Sequence, residues 1–130
     1  MPQSILFVDD EEYILNTLER TFRKEGYKIY TATGGSEALK IMEKVPIDLI
    51  ISDHRMPEMT GVELLKIVKE RYPGTIRIII SGYGDINTLL AAINEGEVYR
   101  FITKPWDNEK LKRMVRKALD HAKIARSFHE

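Results

Sequence analysis

Residues 49–61, LIISDHRMPEMTG, contain the clearest indication of the fold. Its apolar first part, Leu49–Ile51, is followed by Ser52 and Asp53, and a loop containing proline and glycine comes next. Similar apolar runs occur at Ile5–Val8 and Ile76–Ile80. Runs that are apolar on both faces are typical of strands covered by helices on both sides, so these three runs predict the central strands of a parallel sheet.

Two weaker runs, Lys28–Thr31 and Arg100–Thr103, predict two further strands. Helical apolar stripes lie between and after the strands: Ile14, Leu18 and Phe22; Ala38, Leu39 and Met42; Leu64, Leu65 and Val68; Ile86, Leu89, Leu90 and Ile93; Leu111, Val115, Ala118 and Ala122. Strand and helix therefore alternate five times, which predicts a doubly wound α/β fold. We expect the flavodoxin-like (βα)5 form, a parallel five-stranded sheet in the order 2-1-3-4-5.

The composition excludes several classes of protein. The 130 residues carry 20 basic and 20 acidic side chains, so the net charge is zero and binding to nucleic acid through bulk charge is not expected. Cysteine is absent, which excludes disulfides, thiol nucleophiles and thiolate metal sites. Acidic residues begin at Asp9, too early for a signal peptide or a membrane span. We expect a single soluble cytoplasmic domain.

Polar residues follow four of the predicted strands. Asp9 and Asp10 end the first, Asp53 the third, Ser81 the fourth, and Lys104 follows the fifth. In the expected strand order these four strands are neighbours, and ligands of open α/β sheets bind at the carboxyl ends of the strands. The five side chains should therefore converge on one crevice.

Carboxylates that converge there need positive partners, because unit charges about 4 Å apart still repel by about 4 kcal/mol at an effective dielectric constant of 20. Lys104 supplies one positive charge, and Mg²⁺, or Mn²⁺ in its place, is the natural second with oxygen ligands. Such a site favours an incoming phosphoryl group. Asp53 is the candidate nucleophile, while the metal and Lys104 would neutralise the phosphoryl oxygens.

These residues carry a family resemblance. VDD at 8–10, DHRMPEMTG at 53–61, SG at 81–82 and FITKPW at 101–106 resemble the receiver domain of bacterial two-component response regulators, the CheY-like superfamily. The resemblance extends from about Ile5 to about Ala122. It implies that Asp53 is the phosphoacceptor and that the metal ligands are Asp9 (largely through water), Asp10, Asp53 and the backbone carbonyl of Arg55. It also implies that Ser81 and Phe101 are switch residues and that Lys104, followed by a cis peptide to Pro105, pairs with the phosphoryl group. Tyr99, Arg100 and Trp106 would form the partner face.

The resemblance also implies the function and the partners. A sensor histidine kinase or a phosphotransfer protein would phosphorylate Asp53 in the presence of Mg²⁺. Phosphorylation would then switch the conformation of the face formed by helix 4, strand 5 and helix 5. The domain would act as a phosphoacceptor and not as an enzyme, with no direct contact to nucleic acid or membrane. We expect residues 1–125 to form the receiver, and residues 126–130 to end helix 5 and lead towards an output domain. The segment EGEVYRFITKPW is similar to receivers attached to HD-GYP phosphodiesterases. A homodimer formed on phosphorylation is a further expectation.

The sequence is also compatible with other interpretations. Asp9 and Asp10 could simply cap helix 1. A haloacid-dehalogenase-type phosphatase also uses strand-end aspartates, but it needs an Asp-x-Asp pair where this chain has adjacent acids. A flavodoxin-like mononucleotide binder needs a hydroxyl-rich phosphate loop, which the acids at 9–12 would oppose. A receiver used as an unphosphorylated docking module is a third alternative.

Smaller features have plain interpretations. We expect His54 to be polar surface and Gly82–Gly84 to be a flexible turn. Arg55 and Tyr83, each two residues past a site residue, should slow hydrolysis of a phosphoaspartate. The last helix has a weak coiled-coil spacing that continues through Ala125, and His121 and His129 are too far apart for a helical metal pair.

Overall fold

The computed structural model describes the backbone of residues 2–129, and the side chains of this range except for residue 83 and residues 123–129. The expectations for the Tyr83 side chain, for Ala125 in a coiled-coil seam and for His129 therefore lie outside the described residues. The elements are β1 Ser4–Val8, α1 Glu12–Phe22, β2 Lys28–Ala32, α2 Gly35–Lys44, β3 Leu49–Asp53, α3 Gly61–Arg71, β4 Ile76–Ser81, a 3₁₀ turn Tyr83–Asp85, α4 Ile86–Asn94, β5 Arg100–Thr103 and α5 Asn108–His129.

The five strands form one parallel sheet in the order β2-β1-β3-β4-β5, which confirms the predicted topology. Its register brings the carboxyl ends of the central strands level. Val8 pairs with Ser52, Asp53 with Ile80, and Ser81 with Thr103. The residues that end or follow β1, β3, β4 and β5 therefore meet at one edge, as expected from the sequence.

The sheet separates two apolar layers because successive strand residues point to opposite faces. Leu6, Ile50 and Ile79 pack on one face with residues of α2, α3 and α4. The alternate residues, among them Phe7 and Ile51, pack on the other face with residues of α1 and α5. Each central strand is thus buried on both faces, which explains its uninterrupted apolar sequence.

The amino end of the sheet is closed by a polar network. The Asp48 carboxylate accepts hydrogen bonds from the backbone N–H of Ser4 at 2.8 Å and from its hydroxyl at 3.3 Å. The Thr75 hydroxyl donates to the carbonyl of Ile47 at 2.8 Å. These contacts join the starts of β1, β3 and β4 at the end of the sheet opposite the candidate site.

The loop between β3 and α3 is tightly constrained. The Gly61 N–H donates to the His54 carbonyl at 2.8 Å, and the His54 N–H donates to the Ile80 carbonyl at 3.0 Å. Thr60 and Glu63 form a capping box at the start of α3, in which each side chain accepts the other residue's backbone N–H. The loop that follows Asp53 is therefore fixed at both ends.

Helix α4 differs from its predicted apolar stripe. Leu89 and Ala92 are its buried residues, whereas Leu90 has 45% of its surface exposed. Successive helical residues point about 100° apart, so a nine-residue helix that buries Leu89 against the sheet turns Leu90 towards solvent. The expectation that Leu90 packs on the sheet was wrong.

Candidate functional site

Three carboxylates meet at the carboxyl edge of the sheet. Asp9 and Asp10 follow β1, and Asp53 is the last residue of β3. One oxygen from each lies within 4.8 Å of the others, with Asp9 and Asp53 buried and Asp10 exposed. The convergence expected from the sequence is therefore present, and it is open to solvent on the side of Asp10.

Capping does not account for the pair of acids after β1. The N-cap of α1 is Glu11, whose side chain makes no capping bond. Asp9 Oδ1 accepts the Glu11 N–H at 2.9 Å, so this carboxylate does stabilise the turn into the helix. Its other oxygen is directed at Lys104, and the carboxylate belongs to the acidic cluster.

Lys104 is the positive partner of the cluster. Its Nζ lies 2.9 Å from Asp53 Oδ1 and 4.0 Å from Asp9 Oδ2. Burial acts to lower the pKa of Lys104, but the hydrogen bond to Asp53 and the charges of Asp53 and Asp9 together raise it above its ordinary value. The lysine therefore stays protonated at neutral pH. The Lys104–Pro105 peptide is cis, as the resemblance implies.

The pKa of Asp9 is raised in spite of the nearby lysine. Burial, and after it the charge of Asp53, raise the pKa of Asp9 from 3.8 to about 6, against the lowering effect of the Glu11 N–H and of Lys104. At neutral pH the carboxylate is therefore charged at a free-energy cost. A divalent cation with oxygen ligands would remove this cost, so the donor set fits Mg²⁺.

Asp9→Asn is expected to raise the free energy of unfolding at pH 7, without Mg²⁺, by about 1 to 3 kcal/mol. The folded protein holds the Asp9 proton up to about pH 6, whereas the unfolded chain loses it near the ordinary pKa of 3.8. The contribution of this group to stability is therefore complete below the ordinary pKa and is lost as the pH rises through about 6. Urea unfolding at a series of pH values measures it.

Asparagine keeps an oxygen that accepts the Glu11 N–H, so the variant changes the charge and retains the bond. Asp120→Asn on α5, at an exposed acid away from the cluster, is the matched control and should leave the pH dependence unchanged. Equal stabilities of wild type and Asp9→Asn from pH 4 to pH 8 would contradict the assignment.

Ser81, the predicted switch residue, ends β4, and its hydroxyl is bonded to Asp85 and not to Asp53. It donates to Asp85 Oδ2 at 2.8 Å. The Asp85 carboxylate also accepts two hydrogen bonds from the Arg55 guanidinium, Nε to Oδ2 at 3.0 Å and Nη2 to Oδ1 at 3.1 Å. Sequence reasoning missed Asp85. The available signal was the opposite charge of Arg55 and Asp85, which follow neighbouring strand ends.

The expectation for His54 was wrong. Its side chain is buried, with 8% of the residue surface exposed, and it is not polar surface. Its backbone N–H and carbonyl form hydrogen bonds with β4 and with Gly61, and these bonds hold the residue in the interior. Among the described side chains, His54 Nδ1 is a buried polar atom without a hydrogen-bond partner. The segment Gly82–Gly84, expected to be a flexible turn, includes the first two residues of the 3₁₀ turn Tyr83–Asp85 that precedes α4.

The predicted partner face is only partly continuous. Phe101 is half-buried against the layer formed by α2, α3 and α4. Tyr99 is 44% exposed, and the Arg100 guanidinium lies 5.6 Å from the centre of its ring. Trp106 instead packs against the layer formed by α1 and α5. It lines an open groove there with Tyr13, whose side chain is exposed.

Comparison with known proteins agrees with this geometry. Residues 5–116 match the family model of the response regulator receiver domain. The chain is 38% identical over 126 residues to the hydrogenase transcriptional regulatory protein HoxA of Cupriavidus necator, covering 97% of this chain and 26% of HoxA. It therefore spans about a quarter of the length of that relative.

Solved structures are also similar. The signal receiver domain of an HD domain-containing protein from Pseudomonas fluorescens Pf-5 superposes with a TM-score of 0.90 at 36% identity, covering 97% of this chain and 93% of that one. NtrX from Brucella abortus superposes with a TM-score of 0.91 at 30% identity, covering 99% of this chain and 30% of NtrX. Within residues 2–129, the structure contains no helix with the length and apolar character to cross a membrane.

The family match decides between the classes left open by the sequence. It covers every strand except the first residue of β1, together with the cluster of Asp9, Asp10 and Asp53, and it sets aside the phosphatase and the mononucleotide binder. Receivers are signalling phosphoacceptors and not classical enzymes. The chain belongs to the response regulator receiver domain family and has the acidic pocket that is typical of its phosphoacceptor site.

Proposed function

We propose that Asp53 accepts a phosphoryl group from a sensor histidine kinase or a phosphotransfer protein. A carboxylate oxygen of Asp53 attacks phosphorus, the bond between phosphorus and the donor's imidazole nitrogen breaks, and the imidazole leaves with the electron pair and takes up a proton. The observation that carries the proposal is the position of Lys104, 2.9 Å from Asp53 at the end of β3 and beside Asp9.

Each site residue has a role in this proposal. Asp9, Asp10, Asp53 and the backbone carbonyl of Arg55 would hold Mg²⁺, or Mn²⁺, with Asp9 acting largely through water. The cation would neutralise charge on the phosphoryl oxygens. Lys104 already lies beside Asp53 and would pair with a phosphoryl oxygen there. The Ser81 hydroxyl would turn to donate to another.

Phosphorylation would then alter the face formed by α4, β5 and α5. A phosphoryl group adds about −1.5 to −2 charges at neutral pH, enough to bias a two-state element. Ser81 lies on β4 and Phe101 on the neighbouring strand β5. A movement of the Ser81 hydroxyl would therefore take place close to the packed Phe101 ring. Tyr99 and Arg100 would present the changed surface to a partner, with Trp106 at its margin.

The test is phosphorylation of the purified chain with acetyl phosphate. With Mg²⁺ we expect intact mass spectrometry to show the gain of one phosphoryl group, and we expect chelation of the metal to reduce the rate by at least about 100-fold, the scale on which a metal stabilises charge in phosphoryl transfer. An unrelated protein with a similar content of acidic residues, treated in the same way, controls for nonspecific phosphorylation by acetyl phosphate. A chain that gains no phosphoryl mass would contradict the proposal and would favour an unphosphorylated docking module.

The wider assignment follows the relatives. The chain covers 26% of HoxA, named as a transcriptional regulatory protein, and almost all of a receiver from an HD domain-containing protein. We propose that residues 1–125 are the receiver of a longer cytoplasmic regulator, and that residues 126–130 continue α5 towards an output domain. A homodimer formed on phosphorylation belongs to the same proposal. Arg55 and Tyr83 remain predicted to slow hydrolysis of the phosphoaspartate.

A further inference from the structure

The Ser81 hydroxyl is already engaged in the structure. It has one proton to donate, and that proton is directed to Asp85 Oδ2 at 2.8 Å. While this bond exists, the hydroxyl cannot donate to a phosphoryl oxygen on Asp53. Asp85 and a phosphorylated Asp53 are therefore competing acceptors for the same proton.

Asp85 is itself held in place by Arg55. The guanidinium and the carboxylate form a paired contact of two hydrogen bonds, at 3.0 and 3.1 Å, a geometry that fixes orientation better than a single bond does. This contact and the Ser81 bond also lower the pKa of Asp85 below its ordinary value. The contact joins the loop after β3 to the start of α4, across the strand end that carries Ser81.

The start of α4 depends on these contacts. Asp85 occupies its N-cap position, where an aspartate side chain normally accepts a backbone N–H of the first helical turn. Here Asp85 makes no such bond and is directed to Arg55 and Ser81 instead. The Asp85 side chain therefore ties the start of α4 to Arg55 and Ser81, and its loss would remove that tie without removing a capping bond.

The end of α4 is anchored independently. Lys69 Nζ donates to the Glu95 carbonyl at 2.8 Å. Arg77 donates to the carbonyls of Glu97 and Gly96 at 2.9 and 3.1 Å. These contacts tie the segment after α4 to α3 and β4, and they do not involve the site. Release of Asp85 would therefore move the start of the helix about an anchored end.

We infer that Arg55 and Asp85 form a latch that holds Ser81 and the start of α4 in the resting arrangement until Asp53 is phosphorylated. The inference rests on the proposed function, because it names the regulation of the same site. Without the latch, the arrangement that accepts the phosphoryl group is more populated at rest. The apparent affinity for a phosphoryl mimic rises in proportion to that population.

Beryllofluoride with Mg²⁺, titrated into the full chain and followed by the fluorescence of Trp106, the single tryptophan, tests the latch. Asp85→Ala removes the acceptor and no capping bond, and its half-saturating concentration is expected to fall about tenfold relative to wild type. Arg55→Gln loses the paired contact and should shift in the same direction by a smaller factor. Glu95→Ala is the matched control, since it removes one exposed acid at the other end of α4 and should equal wild type.

The Ser81→Ala background separates the latch from a general effect of charge. Because the latch acts mainly by withholding the Ser81 hydroxyl, Asp85→Ala is expected to lower the half-saturating concentration much less in the Ser81→Ala background than in the wild type. A tenfold gain from Asp85→Ala in that background would overturn the inference. So would an Asp85→Ala single variant, folded by circular dichroism, that binds no more tightly than wild type. A wild type that does not bind beryllofluoride at all would instead overturn the proposed function.

Discussion

Asp53→Asn is expected to abolish phosphoryl uptake from acetyl phosphate, with a fall of at least about 1000-fold in initial rate. The amide oxygen of asparagine is a far poorer nucleophile than a carboxylate, and no neighbouring side chain activates it. Asp53 is also the carboxylate that contacts Lys104 at 2.9 Å, so the variant removes the attacking oxygen and the partner of the lysine together. Intact mass spectrometry at fixed times measures the rate.

The free energy of unfolding of Asp53→Asn shows whether the loss of phosphoryl uptake comes from the missing nucleophile or from unfolding of the variant. Asp53→Asn takes one charge from a cluster in which two of the three carboxylates are buried, so the free energy of unfolding of the variant should be at least that of wild type in the absence of Mg²⁺. Asp120→Asn, at an exposed acid of α5, should be phosphorylated at the rate of wild type. If Asp53→Asn and wild type gained equal phosphoryl mass, another residue would be the phosphoacceptor.

Gly61→Ala is expected to lower the free energy of unfolding by about 3 kcal/mol, the upper part of the range for overpacking. A Cβ at residue 61 would overlap the carbonyl oxygen of Asp53 and would lie 2.9 Å from the Cα of His54. Both contacts are to backbone, which cannot rotate away as a side chain can. Urea unfolding followed by circular dichroism measures the loss.

The same substitution should weaken the site, because the overlap displaces the peptide of Asp53, the proposed phosphoacceptor. Gly74→Ala is the matched control: a Cβ there meets nothing within 4 Å, and the residue is outside the left-handed region. It should change stability by less than about 0.5 kcal/mol, as surface substitutions usually do. If Gly61→Ala and Gly74→Ala unfold at the same urea concentration, the close approach of α3 to β3 is not a constraint.

The sheet could be predicted because its residues satisfy one requirement repeated along the chain. Leu49–Ile51 and the equivalent runs are apolar on both faces, and only strands covered on both sides by helices have that need. The acidic cluster could be predicted for a related reason. Once strand order is known, Asp9, Asp53 and Lys104 have no other place to lie than the shared edge.

The residues that sequence reasoning misplaced depend on contacts between elements. His54 follows a strand and precedes a loop, a position that resembles surface in a linear sequence. It is buried because α3 begins close to β3, a closeness that Gly61 permits. Leu90 shares the apolar character of its neighbours, and only the orientation of a short helix places it in solvent.

Asp85 was missed for a third reason. Its partners, Arg55 and Ser81, are reached through a side-chain geometry that no periodic pattern encodes. An acidic residue at the start of a helix is usually interpreted as a cap, and that interpretation hides a carboxylate whose contacts lie elsewhere.

The polar network of Ser4, Asp48 and Thr75 has a practical consequence for reporter design. It joins three strands at the end of the sheet opposite the acidic cluster, so that end can serve as a reference frame for movement at the other end. A dye pair placed with one member beside this frame and the other near the start of α4 would report the movement of the helix as a change in energy transfer. Two dyes near the acidic edge would shift together and would report much less.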